Sequence, residues 1–294
     1  MGFGVMRNRM RKHLERSHYI LKYYNKIKFR MFELSRKEPI LIYQMGKVGS
    51  TSMLRSIRRI TINRPVFHVH TLRKDVLDDI ERLYSGREIA LGHHYYAGRY
   101  LSQKLCARNS EKKWRVISLV REPIARNISA FFQNLDLYTR HPDLDGANPD
   151  EIVNVMIQDY LEKFPHDTPL KWFDREIKEN LGVDVYSGSF PAEVGYKIYE
   201  SDRADLLLIR CEDINKCAIT AIKEFLGISR IEIKNANVGS KKEYNEVYER
   251  FKNKIRLPKE YVDEMYSSQL ARYFYSDEEL REFRKKWLVN LDSR

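Results

Sequence analysis

Long apolar runs are missing from this sequence. None of its 294 residues lies in a stretch approaching the roughly 20 apolar residues that cross a bilayer. The amino-terminal stretch MGFGVMRNRMRKHLERSHYILKYYNKIKFRMFELSRK lacks the continuous apolar core of a signal peptide. Cysteine is scarce: Cys106, Cys211 and Cys217 are odd in number and carry no metal-ligand spacing. That argues against a disulfide framework and for a reducing, cytoplasmic compartment. Zinc-finger spacing, RNA-recognition aromatic motifs and internal repeats are absent too, so no specific nucleic-acid reader is expected.

What is present is core-forming material and positive charge. The composition is 43% hydrophobic and 12% aromatic, enough for a sizeable core. The net charge is +12 and the isoelectric point about 9.4. A polyanionic substrate or cofactor, an anionic membrane surface and nucleic acid all suit such a chain. A solvated cationic face is the plain alternative.

Residues 1–37 read as a basic amphipathic helical segment, with Ile20, Leu21, Tyr24, Ile27 and Met31 at roughly helical spacing. It is expected to lie on the following domain, on a partner, or peripherally on the inner face of a membrane. Residues 38–294 read as one domain. The runs EPILIYQM (38–45), RPVFHVH (64–70), EIALGHHYY (88–96), WRVISLV (114–120) and DLLLIR (205–210) are expected strands. Helical periodicity follows the first two, and helices are expected from Pro123 and through Ala218, Ile222 and Phe225 to Gly227. The alternation predicts an α/β fold: three layers, a mostly parallel central sheet of about five strands flanked by helices. Residues 140–200 are expected to form an acceptor-side insertion with a helical piece near LKWFDREIKEN, and Ser276 with Glu279 a capping box.

Two strand-to-helix loops carry the chemistry. QMGKVGSTSM (44–53) holds Gly46, Lys47, Val48, Gly49, Ser50, Thr51 and Ser52. Glycines let backbone approach a ligand, helix-start N–H groups form an anion site, and a lysine and hydroxyls add donors. A turn capped by Ser50 is the structural alternative. The lysine lies between the glycines, not after the last one as in the nucleotide-triphosphate loop. SLVREPIARNISAFFQN (118–134) sets Arg121, Arg126 and Ser129 around a second corner, which suits another phosphate group. An ordinary capped corner is its alternative.

Together these loops resemble the two cofactor motifs of the PAPS-dependent sulfotransferases. Arg121 and Ser129 have the eight-residue spacing of that family's 3′-phosphate motif, and Lys47 matches its phosphosulfate lysine. LLLIRCEDI, with Arg210, Glu212 and Asp213, is similar to the family's strand ending in Arg-x-Glu-Asp. WFDREIKENLGVDVY and FYSDEEL look like a bacterial capsular polysaccharide synthesis group that is sulfotransferase-like. The resemblance implies a P-loop-like fold, PAPS as donor with PAP as product, no required metal, and a hydroxyl acceptor, here a carbohydrate or capsular polysaccharide. It also implies a late loop for the adenine side and 3′-phosphate, for which Gly239, Ser240 and Lys241 are the candidates beside Lys242; a solvated lysine pair is the alternative.

Transfer to a hydroxyl calls for a base. The Gly-His of LGHHYY resembles the uronyl 2-O-sulfotransferase segment and makes His93 first choice. On a strand, His93 and His94 would face opposite ways. His70, sharing a face with His68, is second and Glu176 third. Two other readings stand beside this one: a P-loop kinase-like ATP-dependent phosphotransferase, and a non-enzymatic basic protein that binds nucleic acid or membrane.

Overall fold

The computed structural model describes residues 23–27, 29, 30, 33, 40–49, 57, 65–84, 91–106, 113–139, 148–228 and 245–288. After Pro39, the run Ile40–Tyr43 forms β1, and all four residues are buried. Val66–Val69 forms β2, parallel to β1, with Ile40 opposite Val66 and Ile42 opposite His68. Helix α1 (Lys74–Tyr84) follows, then α2 (His93–Cys106) and β3 (Trp114–Val120), parallel to β1 on its other side. The sheet order is β2-β1-β3-β5-β4, where β4 is Tyr196–Glu200 and β5 is Ala204–Arg210. β5 runs parallel to β3, and β4 is antiparallel at the edge. The three central strands are dominated by buried apolar residues, broken in β3 by Ser118, because helices cover both faces.

This topology positions the site. The chain leaves β1 toward β2 on one side, whereas β3 lies on the other. The carboxyl end of β1 is therefore a point where connections diverge, and such points open a crevice in parallel α/β sheets. Residues 44–49 follow β1 into it, and 70–73, 121–122 and 211–213 emerge at the same edge from β2, β3 and β5.

α3 (Pro123–Gln133) begins there. Its N-cap is Glu122, 3% exposed, whose carboxylate accepts from the N–H groups of Ile124 and Ala125 and from the Tyr266 hydroxyl at 2.7 Å. After α4 (Leu135–Tyr138), the described part of the insertion is mostly helical: α5 (Pro149–Lys163), α6 (Thr168–Trp172), a π-helical turn (Phe173–Lys178) and α7 (Glu179–Leu181). Phe131 on α3 is fully buried among Phe132, Tyr138, Tyr160, Phe164 and Phe251, which fastens this insertion to the sheet layer. α8 (Ile214–Leu226) stops at Gly227, whose φ is 65°. Helices α9 (Asn245–Lys254), α10 (Lys259–Ser267), α11 (Gln269–Phe274) and α12 (Asp277–Trp287) complete the described chain.

Two expectations are corrected. EIALGHHYY is not a strand in its described part: residues 91 and 92 are irregular and His93 opens α2. The decisive signal lay downstream, where Ala97 and Leu101, four apart, are buried on one helical face. The fifth strand is instead β4, whose short alternation (YKIYE) was hidden inside the aromatic insertion. The 170–180 helical piece, the stop at Gly227 and the Ser276–Glu279 capping box all form as expected.

Arg210 ends β5 at 4% exposure and is tied three ways. It pairs with Asp213, reaches Glu279 at 3.0 Å, and donates to the Phe274 carbonyl at 2.9 Å. Because Glu279 closes the α12 capping box as well, one carboxylate joins the last helix to the sheet. Arg210→Ala should cost about 3–5 kcal/mol, the scale for stranding buried charges. Urea denaturation of the variant checks this, with Arg210→Lys recovering part of the loss.

Candidate functional site

The glycine loop is held in an uncommon backbone state. Lys47 has φ 74°, the one non-glycine residue with positive φ among those described, and Gly49 has φ 89°. A left-handed lysine costs roughly 1–2 kcal/mol, so surrounding structure must impose it. Three contacts do. Val48 is fully buried and anchors the loop in the core. Arg121 Nη1 donates to the Lys47 carbonyl at 2.9 Å, and Arg126 Nε donates to the Gly46 carbonyl at 3.2 Å. Gly49 lies against β5: a β-carbon there would meet the Cys211 sulfur at 3.3 Å. The two sequence motifs thus meet in space, the second bracing the first.

The electrostatics are unbalanced. Arg126 is 8% exposed, yet its Nη1 bonds only the Asn127 side-chain oxygen, at 3.0 Å. Burial lowers its pKa to about 10, and neighbouring Arg121 pushes the same way. Among the described residues, neither guanidinium forms an ion pair. The nearby acids are committed elsewhere. Glu122 caps α3, while Glu212 accepts from the Glu122 N–H at 2.9 Å and from Tyr275 at 3.0 Å. A buried cation is costly unless paired. Ser129 lies half-buried one turn beyond Arg126. Ser50, Thr51, Ser52, Gly239, Ser240 and Lys241 fall outside the described residues.

Histidines form the second feature. His68 lies in β2 and His70 directly after its end, and their rings meet edge to face at 4.6 Å; His94 lies 4.7 Å from His70. The Gln44 carbonyl is 2.9 Å from His70 Nδ1. A carbonyl only accepts, so Nδ1 carries the proton and Nε2 keeps the lone pair. Burial, with His68 and His94 adding to it, holds the His70 pKa well below 6.5. His94 is exposed on one side, yet desolvation by its walls, then His93, lowers its pKa as well. Gly92 makes room for this ring, since a β-carbon there would stand 2.5 Å from His94 Cε1.

His93 is occupied differently. Its Nδ1 accepts from the Asn25 amide at 3.2 Å, and its ring meets the edge of Tyr24. The strand register that set His93 and His94 on opposite faces does not exist, because both residues lie in the first turn of α2. Glu176 is 4% exposed and is bonded by the Tyr43 hydroxyl, the Thr71 hydroxyl at 2.7 Å and the Leu72 N–H at 3.0 Å. Burial raises its pKa while these donors oppose the rise. It ties the π-helical turn to the ends of β1 and β2. Trp172 Nε1 adds a bond to the His70 carbonyl at 3.1 Å. Gln44 and Trp172 were not singled out from sequence. Gln44 follows β1 in the β1–β2 register, and nothing local marks Trp172 as a neighbour of His70. Among the described residues no group of three or more His, Cys, Asp or Glu is arranged to hold a metal ion.

Residues 150–276 match the model of the NKWYS family, described as "Putative capsular polysaccharide synthesis protein". The match links the chain to capsular polysaccharide synthesis. It covers less than half the chain, takes in Trp172, Glu176 and Arg210, and leaves out the glycine loop, Arg121 and the histidines at 68, 70, 93 and 94. No curated protein and no solved structure matches the chain.

Two outcomes follow from the histidine geometry. Gly92→Ala should swing the His94 ring away from His70 without unfolding the protein, visible as displaced imidazole resonances in NMR. Because His70, His94 and His166 all have folded-state pKa values lowered by burial, the unfolded chain binds more protons below pH 6.5. Stability should therefore fall as pH drops from 6.5, and His70→Asn should flatten that slope in urea titrations at stepped pH.

Proposed function

We propose that this protein transfers a sulfuryl group from PAPS to a hydroxyl of a carbohydrate acceptor in capsular polysaccharide synthesis. The observation that carries the reading is the pair of guanidiniums, Arg121 and Arg126, braced on a left-handed glycine loop and forming no ion pair among the described residues. Such a site suits a ligand that brings anionic groups to two adjoining corners. The NKWYS match supports the polysaccharide half of the reading.

In this reading Lys47 and the 46–52 loop hold the phosphosulfate, while Arg121 and Ser129 hold the 3′-phosphate. Gly239, Ser240 and Lys241 remain candidates for the adenine side. PAPS supplies an activated sulfuryl group with PAP as leaving group. An acceptor hydroxyl gives its proton to His70 Nε2 as its oxygen bonds to sulfur; the sulfur–oxygen bond to phosphate breaks, and the loop N–H groups and Lys47 take up the charge left there. His70 is preferred over His93 as base. Its tautomer is set by Gln44, whereas the His93 Nδ1 accepts from Asn25.

Calorimetry with PAP and with ATP–Mg²⁺ separates this reading from a kinase-like one, and radiolabelled sulfate transfer onto a glycan panel tests the reaction. Arg121→Ala should weaken PAP by about 1.5–3 kcal/mol; unchanged PAP affinity removes the 3′-phosphate assignment. Lys47→Gly should still fold, since glycine relaxes the positive φ, and should lose turnover.

The base gives a further outcome. His70→Asn should lower turnover by roughly 100-fold or more with PAP affinity kept. A base must be neutral to act, and the His70 pKa is depressed, so activity should be flat above pH 6.5 and decline only below it. Loss on His93→Ala with His70→Asn active would return the role to His93.

A further inference from the structure

The helical positions between 23 and 33 have two faces that the contacts define. Asn25, Phe29 and Glu33, spaced four apart, form a seam along α2. Asn25 is 3% exposed and donates to His93 at 3.2 Å. Phe29 stacks on Tyr100 at 4.1 Å and lies 5.4 Å from Phe67. Glu33 pairs with Lys104 at 2.6 Å. Partners 93, 100 and 104 ascend with 25, 29 and 33, so the segment runs along α2 in the same direction. This face is packed on the domain.

The opposite face is apolar, aromatic and basic. Tyr23 is 68% exposed, Tyr24 55% and Ile27 44%, with Lys26 and Arg30 exposed beside them. A helix docked by one side ordinarily turns polar residues to water, and this one exposes two tyrosines and an isoleucine. The charge is concentrated in the same stretch. Residues 1–37 hold eleven lysines and arginines against two glutamates, a net of +9 within a chain whose net charge is +12. No helix among the described residues is long and apolar enough to cross a membrane.

We propose that this outward face docks on an anionic membrane surface, with Tyr23, Tyr24 and Ile27 seated among the headgroups and Lys26 and Arg30 drawn to anionic lipid. Tyrosine suits the boundary between headgroup and acyl chain, where its ring is apolar and its hydroxyl wet. Basic residues near such a surface each strengthen binding, and apolar burial adds to it. The seam on α2 fixes the orientation: His93, the first residue of α2, is held by the docked segment, so the membrane lies beside the histidine end of the crevice. The inference stands apart from the transfer reading, since it concerns a surface and not the donor.

The test uses the full chain and co-sedimentation with vesicles of phosphatidylcholine, with and without phosphatidylglycerol. Binding is expected only to the anionic vesicles and should weaken steeply as salt shortens the screening length from about 10 Å at 0.1 M toward 3 Å at 1 M. Tyr23→Ser with Ile27→Ser should weaken it at least 10-fold, and Lys26→Glu with Arg30→Glu by a similar factor. Tyr24 is left in place because its ring meets His93. All four side chains are exposed, so the unfolding temperature should hold, and PAP affinity should be unchanged in both pairs. Failure to bind phosphatidylglycerol vesicles overturns the proposal. So does vesicle binding that the serine pair leaves intact, which would mean charge alone is at work. A single-stranded RNA oligomer run in parallel decides the remaining rival: retention of RNA without retention on vesicles makes this a nucleic-acid face instead.

Discussion

Two guanidiniums reach from the corner after β3 to the carbonyls of the loop after β1, and much of the site rests on that bridge. Arg121 and Arg126 bond the carbonyls of Lys47 and Gly46, which helps to keep a lysine in a left-handed conformation that an isolated chain would leave. The bridge also concentrates positive charge in a crevice whose acids are spent on capping α3 and bonding Tyr266 and Tyr275. One set of contacts therefore sets both the shape of the loop and the sign of its field. Neither follows from glycine content alone.

The histidine cluster depends on a second alignment. Parallel pairing of β1 with β2 brings the Gln44 carbonyl to His70, which settles which ring nitrogen holds the proton. The helical insertion then closes over the same strand end through Trp172 and Glu176. The segment matching the polysaccharide family thus supplies a wall of the crevice, while the glycine loop, Arg121 and Arg126 lie outside the matched residues.

The sheet was legible because strands covered on both faces carry buried apolar runs, as Ile40–Tyr43 of β1 and Leu206–Ile209 of β5 do and as β3 does around a single buried Ser118. The edge strand β4 was not, since YKIYE buries little and lies among aromatics that serve other contacts. At LGHHYY, four or five residues of mixed polarity cannot separate strand from helix; the answer lay in the burial of Ala97 and Leu101. The site was legible as two loops with glycine, lysine and arginine. Their mutual contact was not, because it joins residues 74 and 80 apart through carbonyl oxygens, which no side-chain pattern records. Glu176, third choice as base from the sequence, is bonded by Tyr43, Thr71 and Leu72, contacts that no local pattern around it records.

Glu279 has a bearing on what counts as a folding unit here. The matched span ends at Ser276, the N-cap of α12, three residues short of the carboxylate that both closes that cap and neutralises Arg210 at the end of β5. At its other end the span begins after β1, β2 and β3, so of the sheet it contains only β4 and β5. An excised fragment of residues 150–276 would present the open edge of β5, stripped of β3, to solvent and leave Arg210 half-compensated. The recurring segment is a module in sequence but not in structure. It can be inherited as a block only where a sheet and a closing helix are already provided for it.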